Sequence, residues 1–260
     1  MPPSNKEVPG PLTFLIGDFT IHPEIPGSWS FSRLRDFEDC PMRWALSNTI
    51  VPCFGGTIPQ KLTKSGVEGI LFHELLESYD QHSREHHDAR FRPRSTSLAL
   101  LERWDRKNES NSRINSKALA GQIGIEDLLT AFGQAAAYIV RPDHKGASKP
   151  DPVQSNKCKG LVSHAEVWLR DPESKLCGRA DHIQSGAIVD FKSGDQRADH
   201  IEQLLFYAAL YLAVTGETPK ALRLIYAARN SILNVPIPRA TVLRQSLTEM
   251  RHRGQAHTGR

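Results

Sequence analysis

The chain has 260 residues, 39% hydrophobic and 24% charged, with a formal net charge of +4 and a sequence pI near 8.9. That length buries a substantial core and suits one domain carrying an insertion better than two independent folds, while so small a charge is compatible with nucleic-acid binding without identifying it. No apolar run reaches the length of a membrane span and Met1 to Glu7 lacks a signal-peptide core, so a cytoplasmic protein without membrane attachment is expected.

Residues 1–27 are rich in Pro and Gly and lack helical periodicity, which predicts a flexible arm. Ser30 or Ser32 caps a helix running to about Leu46, with Leu34, Phe37, Met42 and Trp44 as its apolar contacts. After a Gly/Pro-interrupted connection, a helix is expected from Gly66 to about Tyr79, with Ile70, His73, Leu76 and Glu77 on one side. A lone histidine in that setting reads as a hydrogen-bonded core residue. The stretch from Asp80 to Arg94 carries His82, His86 and His87, read either as a second metal site or, better, as a solvated helix end and loop.

Helices are expected over 97–105 and 125–140, making a cap or wall beside a cleft, with a Pro-rich loop over 141–156. A β-rich segment follows, with strands near 163–169, 177–183, 187–192, 221–226 and 231–235. Between the third and fourth, His200 to Val214 has strong helical spacing in Ile201, Leu204, Leu205, Ala208 and Leu212; a last helix covers 240–250. The fold class is therefore α/β, a central mixed β-sheet flanked by helices with a helical N-terminal and middle subdomain. One domain is expected over 28–250, with a helical insertion around 80–156 and a disordered basic tail over 251–260. Cys40, Cys53, Cys158 and Cys177 form no C-x-x-C pair and read as reduced thiols, neither a disulfide framework nor a zinc site.

Chemistry concentrates between Gly178 and Lys192. Gln184-Ser185-Gly186 is a tight turn, so the two flanking strands form a hairpin. Alternation puts Asp190 and Lys192 on one side and Val189 and Phe191 on the other, and Asp181 lies across from Asp190 if the turn closes in the register the apolar residues favour. Two carboxylates converging in a partly dry cleft repel unless one takes a proton or a divalent cation neutralises both. Carboxylate oxygens suit Mg²⁺ or Mn²⁺, and a neighbouring lysine can orient water or offset charge building on a phosphorane. An isolated D-x-K is more simply a solvated surface pair, so its neighbours decide.

Those neighbours are His73 upstream, Gly178-Arg179-Ala180-Asp181, Asp190-Phe191-Lys192, and Gln203 to Tyr207 downstream, with Phe31 to Trp44 as an entry helix containing a Cys-Pro step. In this order they resemble the PD-(D/E)XK nuclease superfamily, and within it the RecB-like branch that includes recombination helicase-nucleases and CRISPR-adaptation exonucleases. The resemblance covers roughly residues 28–235 and implies a restriction-endonuclease-like core. It implies that His73, Asp181, Asp190 and the Phe191 carbonyl bind Mg²⁺ or Mn²⁺ and that Lys192 positions the attacking water. Gln203 and Tyr207 would align the lysine or the nucleic-acid strand, and Arg179 and Arg197 are candidate phosphate contacts.

Glu166 is either an accessory metal-shell group or a salt-bridged strand residue. No cysteine follows Cys177, so the iron-sulfur cluster of some branch members is not expected. The implied activity is metal-dependent DNA hydrolysis by an exonuclease or structure-directed nuclease in recombination, repair, phage replication or defence. A helicase, an annealing protein or another recombination or defence protein is its expected partner. The alternatives are a catalytically idle DNA-binding or assembly subunit on the same fold, and an RNA-directed nuclease.

Overall fold

The structure is a computed structural model that describes residues 14–16, 19–21, 27–48, 50–51, 56–57, 62–85, 90–109, 115–139 and 164–256. Cys53, His86, His87, Cys158 and the loop expected over 141–156 lie outside them, as do residues 257–260.

The segment expected as an arm contains two short strands, β1 (Phe14–Ile16) and β2 (Phe19–Ile21), paired antiparallel. A second small pair joins β3 (Ile50–Val51) to β4 (Gly56–Thr57). Between these pairs the helix expected to reach Leu46 is two helices, α1 (Phe31–Asp39) and α2 (Pro41–Ser47). Pro41 supplies no N–H and its ring obstructs the preceding turn, so a continuous helix cannot pass it. Each new start has its own cap: the Ser30 hydroxyl accepts from the Arg33 N–H at 3.3 Å, and the Cys40 sulfur accepts from the Arg43 N–H at 3.4 Å.

The main sheet runs β5 (His164–Arg170), β6 (Cys177–Gln184), β7 (Ala187–Lys192), β8 (Ala221–Tyr226) and β9 (Ser231–Val235), in that spatial order. All neighbours are antiparallel except β7 and β8, which are parallel. A parallel neighbour requires a long crossover, and helix α7 (Ala198–Thr215) is that connection. Ser185 and Gly186, with φ of 49° and 86°, close the β6–β7 turn in the left-handed conformation that a two-residue hairpin favours.

Helices cover both faces. On one, α7, α1, α2 and α8 (Ala240–Ala256) enclose Trp29, Leu34, Trp44, Ile188, Leu204, Phe206, Leu210, Leu224 and Leu247. On the other, Val189, Phe191 and Ile225 pack with Leu71, Phe72 and Leu75 of α3 (Lys64–Glu85), Leu100 and Trp104 of α4 (Pro93–Asn108), and Leu128 and Phe132 of α6 (Ile125–Ala136). Short α5 (Ser116–Ala120) links the last two. The helices expected to wall a cleft are therefore the second layer of the core. Burying a side chain such as Phe191, at 1% exposure, contributes about 1.5–3 kcal/mol. Strand β7, covered on both faces, has its charged residues on a buried side rather than a solvated one.

Two ion-pair anchors explain elements that run past their expected ends. Helix α3 continues through polar residues to Glu85 because buried Asp80 pairs with Arg84 at 2.7 Å and accepts the Ala165 N–H of β5 at 3.3 Å. Helix α8 carries residues 251–256 of the basic tail expected to be disordered: Arg251 grips Asp171 at 2.7 Å and Arg253 pairs with Glu38 of α1. No helix among the described residues is long and apolar enough to cross a membrane.

Helix α7 meets the sheet at Gly178. A Cβ there would lie 2.7 Å from Tyr207 Cε1 and 3.1 Å from Leu210 Cδ1, closer than carbon atoms tolerate. Gly178→Ala is therefore expected to push α7 away from β6 at a cost of about 1–3 kcal/mol. Thermal unfolding followed by circular dichroism should show a midpoint lowered by about 3–10 °C, against little change for the exposed control Gly133→Ala.

Candidate active site

Strands β6 and β7 pair at His182 with Val189, Ile183 with Ile188 and Gln184 with Ala187, and the ladder stops there. Extended by one step, the register sets Asp181 opposite Asp190, but the strands fork instead. Asp181 Oδ2 accepts the Phe191 N–H at 2.7 Å, replacing a ladder bond with a side-chain bond. The Asp181 carboxylate is thereby fixed at the fork, near enough to Asp190 for its charge to raise the Asp190 pKa.

Across the other edge of β6, the pairing of β5 also skips one position, between Ala165 with His182 and Val167 with Ala180. The skipped residue is Glu166, with a φ of 55°. A non-glycine side chain in the left-handed region costs on the order of 1–3 kcal/mol and persists only where surrounding contacts enforce it. Here Arg179 Nε binds Glu166 Oε2 at 2.6 Å, and a second Arg179 nitrogen reaches Glu77 Oε1 of α3 at 3.2 Å. The kink turns Glu166 toward Asp181. His73 arrives from α3 with Nδ1 3.6 Å from Asp181 Oδ1.

Lys192 completes the constellation on the α7 side. Its Nζ lies 2.7 Å from Asp190 Oδ2 and donates to Gln203 Oε1 at 2.8 Å. Because an ammonium can only donate, Gln203 must present its oxygen to Lys192 and its NH₂ group to Tyr207, whose hydroxyl accepts at 2.8 Å. The Tyr207 proton is left for another acceptor. Gln203 and Tyr207, four residues apart on α7, thus act on Lys192 as one chain of hydrogen bonds.

Burial dominates the electrostatics. It raises the Glu166 carboxyl from 4.5 to about 8, helped by Asp181 and opposed by Arg179. Asp190 is raised from 3.8 to about 7 by burial and by Asp181, against the pull of Lys192. Asp181 is also raised by burial. His73 is lowered from 6.5 to about 4, because burial, Lys192 and Arg179 outweigh Asp190. It is neutral near pH 7, so its 3.6 Å approach to Asp181 is no ion pair, and one ring nitrogen keeps its lone pair for a ligand. Burial raises Tyr207 as well and keeps its phenol protonated.

The structure brings His73, Glu166, Asp181, Asp190, Lys192, Gln203 and Tyr207 into one cluster of contacts. Arg179 joins them through Glu166. Arg197 stands apart, immediately before α7 at 66% exposure, with its guanidinium on Asp199 at 2.6 Å. It lines a cleft of about 270 Å³ that also contains Lys192, His200, Gln203 and Arg35. The Phe191 side chain belongs to the opposite core layer. His82 lies against Phe91 in a tilted contact, with ring centroids 5.4 Å apart, and joins no group of metal-ligating residues among the described ones.

Sequence reasoning did not single out His200 and Tyr226. Tyr226 is level with Lys192 in the parallel register, and its hydroxyl meets His200 Nδ1 at 3.3 Å. This pair pins the start of α7 over the end of β7. The only prior signal was His200 standing three residues before Gln203, one helical turn away.

A cation fits this cleft. Nitrogen or oxygen atoms of His73, Glu166 and Asp181 all lie within 4.8 Å of one another, and the Asp190 carboxylate adjoins Asp181. Buried Asp190 and partly buried Glu166 and Asp181 face Lys192 and Arg179, so full ionisation leaves negative charge uncompensated. An oxygen-rich set with one imidazole suits a divalent metal. No curated protein sequence matches the chain. The family model of the PD-(D/E)XK nuclease superfamily, whose nucleases use divalent metals, matches residues 28–256. That match spans α1, the His73 helix, all five strands of the main sheet and α7, and the chain belongs to the PD-(D/E)XK nuclease superfamily.

Proposed function

We propose that the protein is a Mg²⁺- or Mn²⁺-dependent deoxyribonuclease of the RecB-like branch, acting on DNA ends or branched structures in recombination, repair, phage replication or defence. The observation that carries the reading is Lys192, held between Asp190 and Gln203 at the rim of a carboxylate cluster that includes a neutral histidine. A surface D-x-K would have neither partner nor burial.

In this reading His73, Glu166, Asp181 and Asp190 hold the cation. When bound, it supplies charge neutralisation at the phosphate and a lowered pKa for water. Lys192 has three N–H donors, one of them given to Gln203, and its charge is paired with Asp190, which leaves donor capacity to orient the attacking water or a phosphate oxygen. Gln203 and Tyr207 keep the ammonium from swinging away. Arg179 holds Glu166 in its strained conformation and offers its positive charge to the backbone of the strand. Hydrolysis adds water across one P–O bond, leaving a phosphate on one fragment and a hydroxyl on the other.

Digestion of end-labelled single-stranded, duplex and circular DNA with Mg²⁺ or Mn²⁺ tests the reading. Asp190→Asn and Lys192→Ala should each lower the rate by about 10²–10³-fold or more. Linear DNA should be degraded while covalently closed circles survive, if ends are required. Equal background in the parent and both variants would leave an idle DNA-binding subunit, and cleavage confined to RNA would replace the substrate.

Gln203→Ala and Tyr207→Phe touch Lys192 only through hydrogen bonds. Each is expected to lower kcat by about 10–100-fold through misplacement of the ammonium, with KM nearly unchanged. A matched loss in KM instead would move both residues into strand binding.

Metal and pH should be linked through stability. A carboxyl whose folded pKa exceeds its unfolded value contributes stability that is complete below the unfolded value and lost as pH rises through the folded one. Glu166, raised from 4.5 to about 8, and Asp190, raised from 3.8 to about 7, both behave so. His73, lowered from 6.5 to about 4, and His200, also lowered, lose stability only as pH falls below 6.5. From pH 6.5 to about 8.5 the carboxyls dominate, and the metal-free midpoint should fall by about 4–8 °C, corresponding to about 2 kcal/mol. Added Mg²⁺ or Mn²⁺ should raise the midpoint more at the higher pH. A flat midpoint that ignores the metal would remove the cluster as a cation site.

A further inference from the structure

Trp168 is the exception among the four tryptophans. Trp29, Trp44 and Trp104 are 1%, 2% and 7% exposed, whereas Trp168 is 55% exposed on β5, the edge strand of the main sheet. Its neighbour Leu169, at 1%, faces the core, so β5 is firmly seated and the outward placement of Trp168 follows from alternation. Arg170 lies with Cζ 5.2 Å from the Trp168 ring centroid. Directly across the ladder from Trp168 is Arg179, which binds Glu166 of the carboxylate cluster at 2.6 Å. Among the described residues Arg170 has no carboxylate partner. The edge therefore presents a half-exposed indole with the Arg170 guanidinium over one ring face, beside a second cation, Arg179, that leads into the active site.

We propose that Trp168, flanked by Arg170 and Arg179, is a stacking platform for an unpaired base of single-stranded DNA whose backbone enters the active-site cleft. The inference rests on the nuclease reading for the identity of the strand. An indole face accepts any base, and exposed aromatics beside basic groups are how proteins hold single strands without reading sequence. The arginines complement the flanking phosphates. Interior duplex bases are already stacked on both faces, so the platform discriminates for unpaired ends. A protein interface would want apolar neighbours around the indole, and here both flanking side chains are cationic.

The test uses the full chain in EDTA, where binding is separated from hydrolysis. Fluorescence anisotropy with labelled oligothymidylate should show Trp168→Ala binding about tenfold more weakly and Trp168→Phe retaining most of the affinity; a blunt hairpin duplex should be nearly indifferent to either. Because the other three tryptophans are buried, unlabelled oligothymidylate should quench the parent's emission and shield it from acrylamide, and both effects should vanish in Trp168→Phe. Unchanged single-strand affinity in Trp168→Ala, or parent emission indifferent to the oligonucleotide, overturns the platform. So does a change confined to self-association in sedimentation. Digestion with Mn²⁺ separates the two ideas: an inactive parent that still shows Trp168-dependent quenching defeats the nuclease and keeps the platform. An active parent whose single-strand cleavage ignores Trp168→Ala does the reverse.

Discussion

Asp190 sits at 1% exposure in the central strand of a sheet covered on both faces, with the Lys192 ammonium 2.7 Å from its carboxylate. Taking two such charges out of water costs several kcal/mol per ion, and one pair seldom recovers it without further hydrogen bonds. The remainder of the site can be understood as those bonds. Gln203 accepts from Lys192, Tyr207 fixes Gln203, and Tyr226 with His200 anchors the first turn of α7 so that Gln203 is in reach. Gly178 then has no side chain because Tyr207 occupies the space where one would be. The glycine, the helix position and the glutamine are consequences of one partly buried lysine.

On the other side of the fork the logic is excess negative charge. Glu166, Asp181 and Asp190 crowd together, and burial raises the pKa of all three. The fold accepts a positive φ at Glu166 and a broken ladder at Asp181 to keep them there. Strain and repulsion at one point are poor for stability and useful for capturing a cation, since the site relaxes electrostatically when the charge arrives.

Much of this was legible in the sequence, for identifiable reasons. The β7 run Ala187-Ile188-Val189-Asp190-Phe191-Lys192 has period-two alternation, and the observed core layers divide Ile188 from Val189 and Phe191 as that period requires. Helix α7 has apolar spacing on which Gln203 and Tyr207 fall one turn apart. The misread features are tertiary. Polar residues after Tyr79 and after Met250 look like frayed ends until Asp80, Asp171 and Glu38 are in place to hold them. Glu166 could be balanced between metal group and salt bridge because it touches Arg179 and faces the cluster at once, and no local pattern announces a left-handed glutamate within a strand. Trp168 likewise alternates as a strand residue should, and only its place at the sheet edge leaves the outward face open.

The two faces of the sheet differ in what they leave to a substrate. Over β7 the α7 layer is filled by Leu204, Tyr207, Ala208 and Tyr211, so a strand cannot approach Lys192 from above. Among the described residues, two approaches are the small cleft where Arg197, His200 and Lys192 meet, and the β5 edge where Trp168 and Arg179 lead to Glu166. Arg197 is committed to Asp199, and the cleft also contains Asp36 and Asp39, which disfavours a polyanion there. Arg170 at the β5 edge faces no carboxylate among the described residues. Arg179 there is itself paired with Glu166 and Glu77, so what favours entry along β5 on the proposed reading is Arg170 together with the exposed indole.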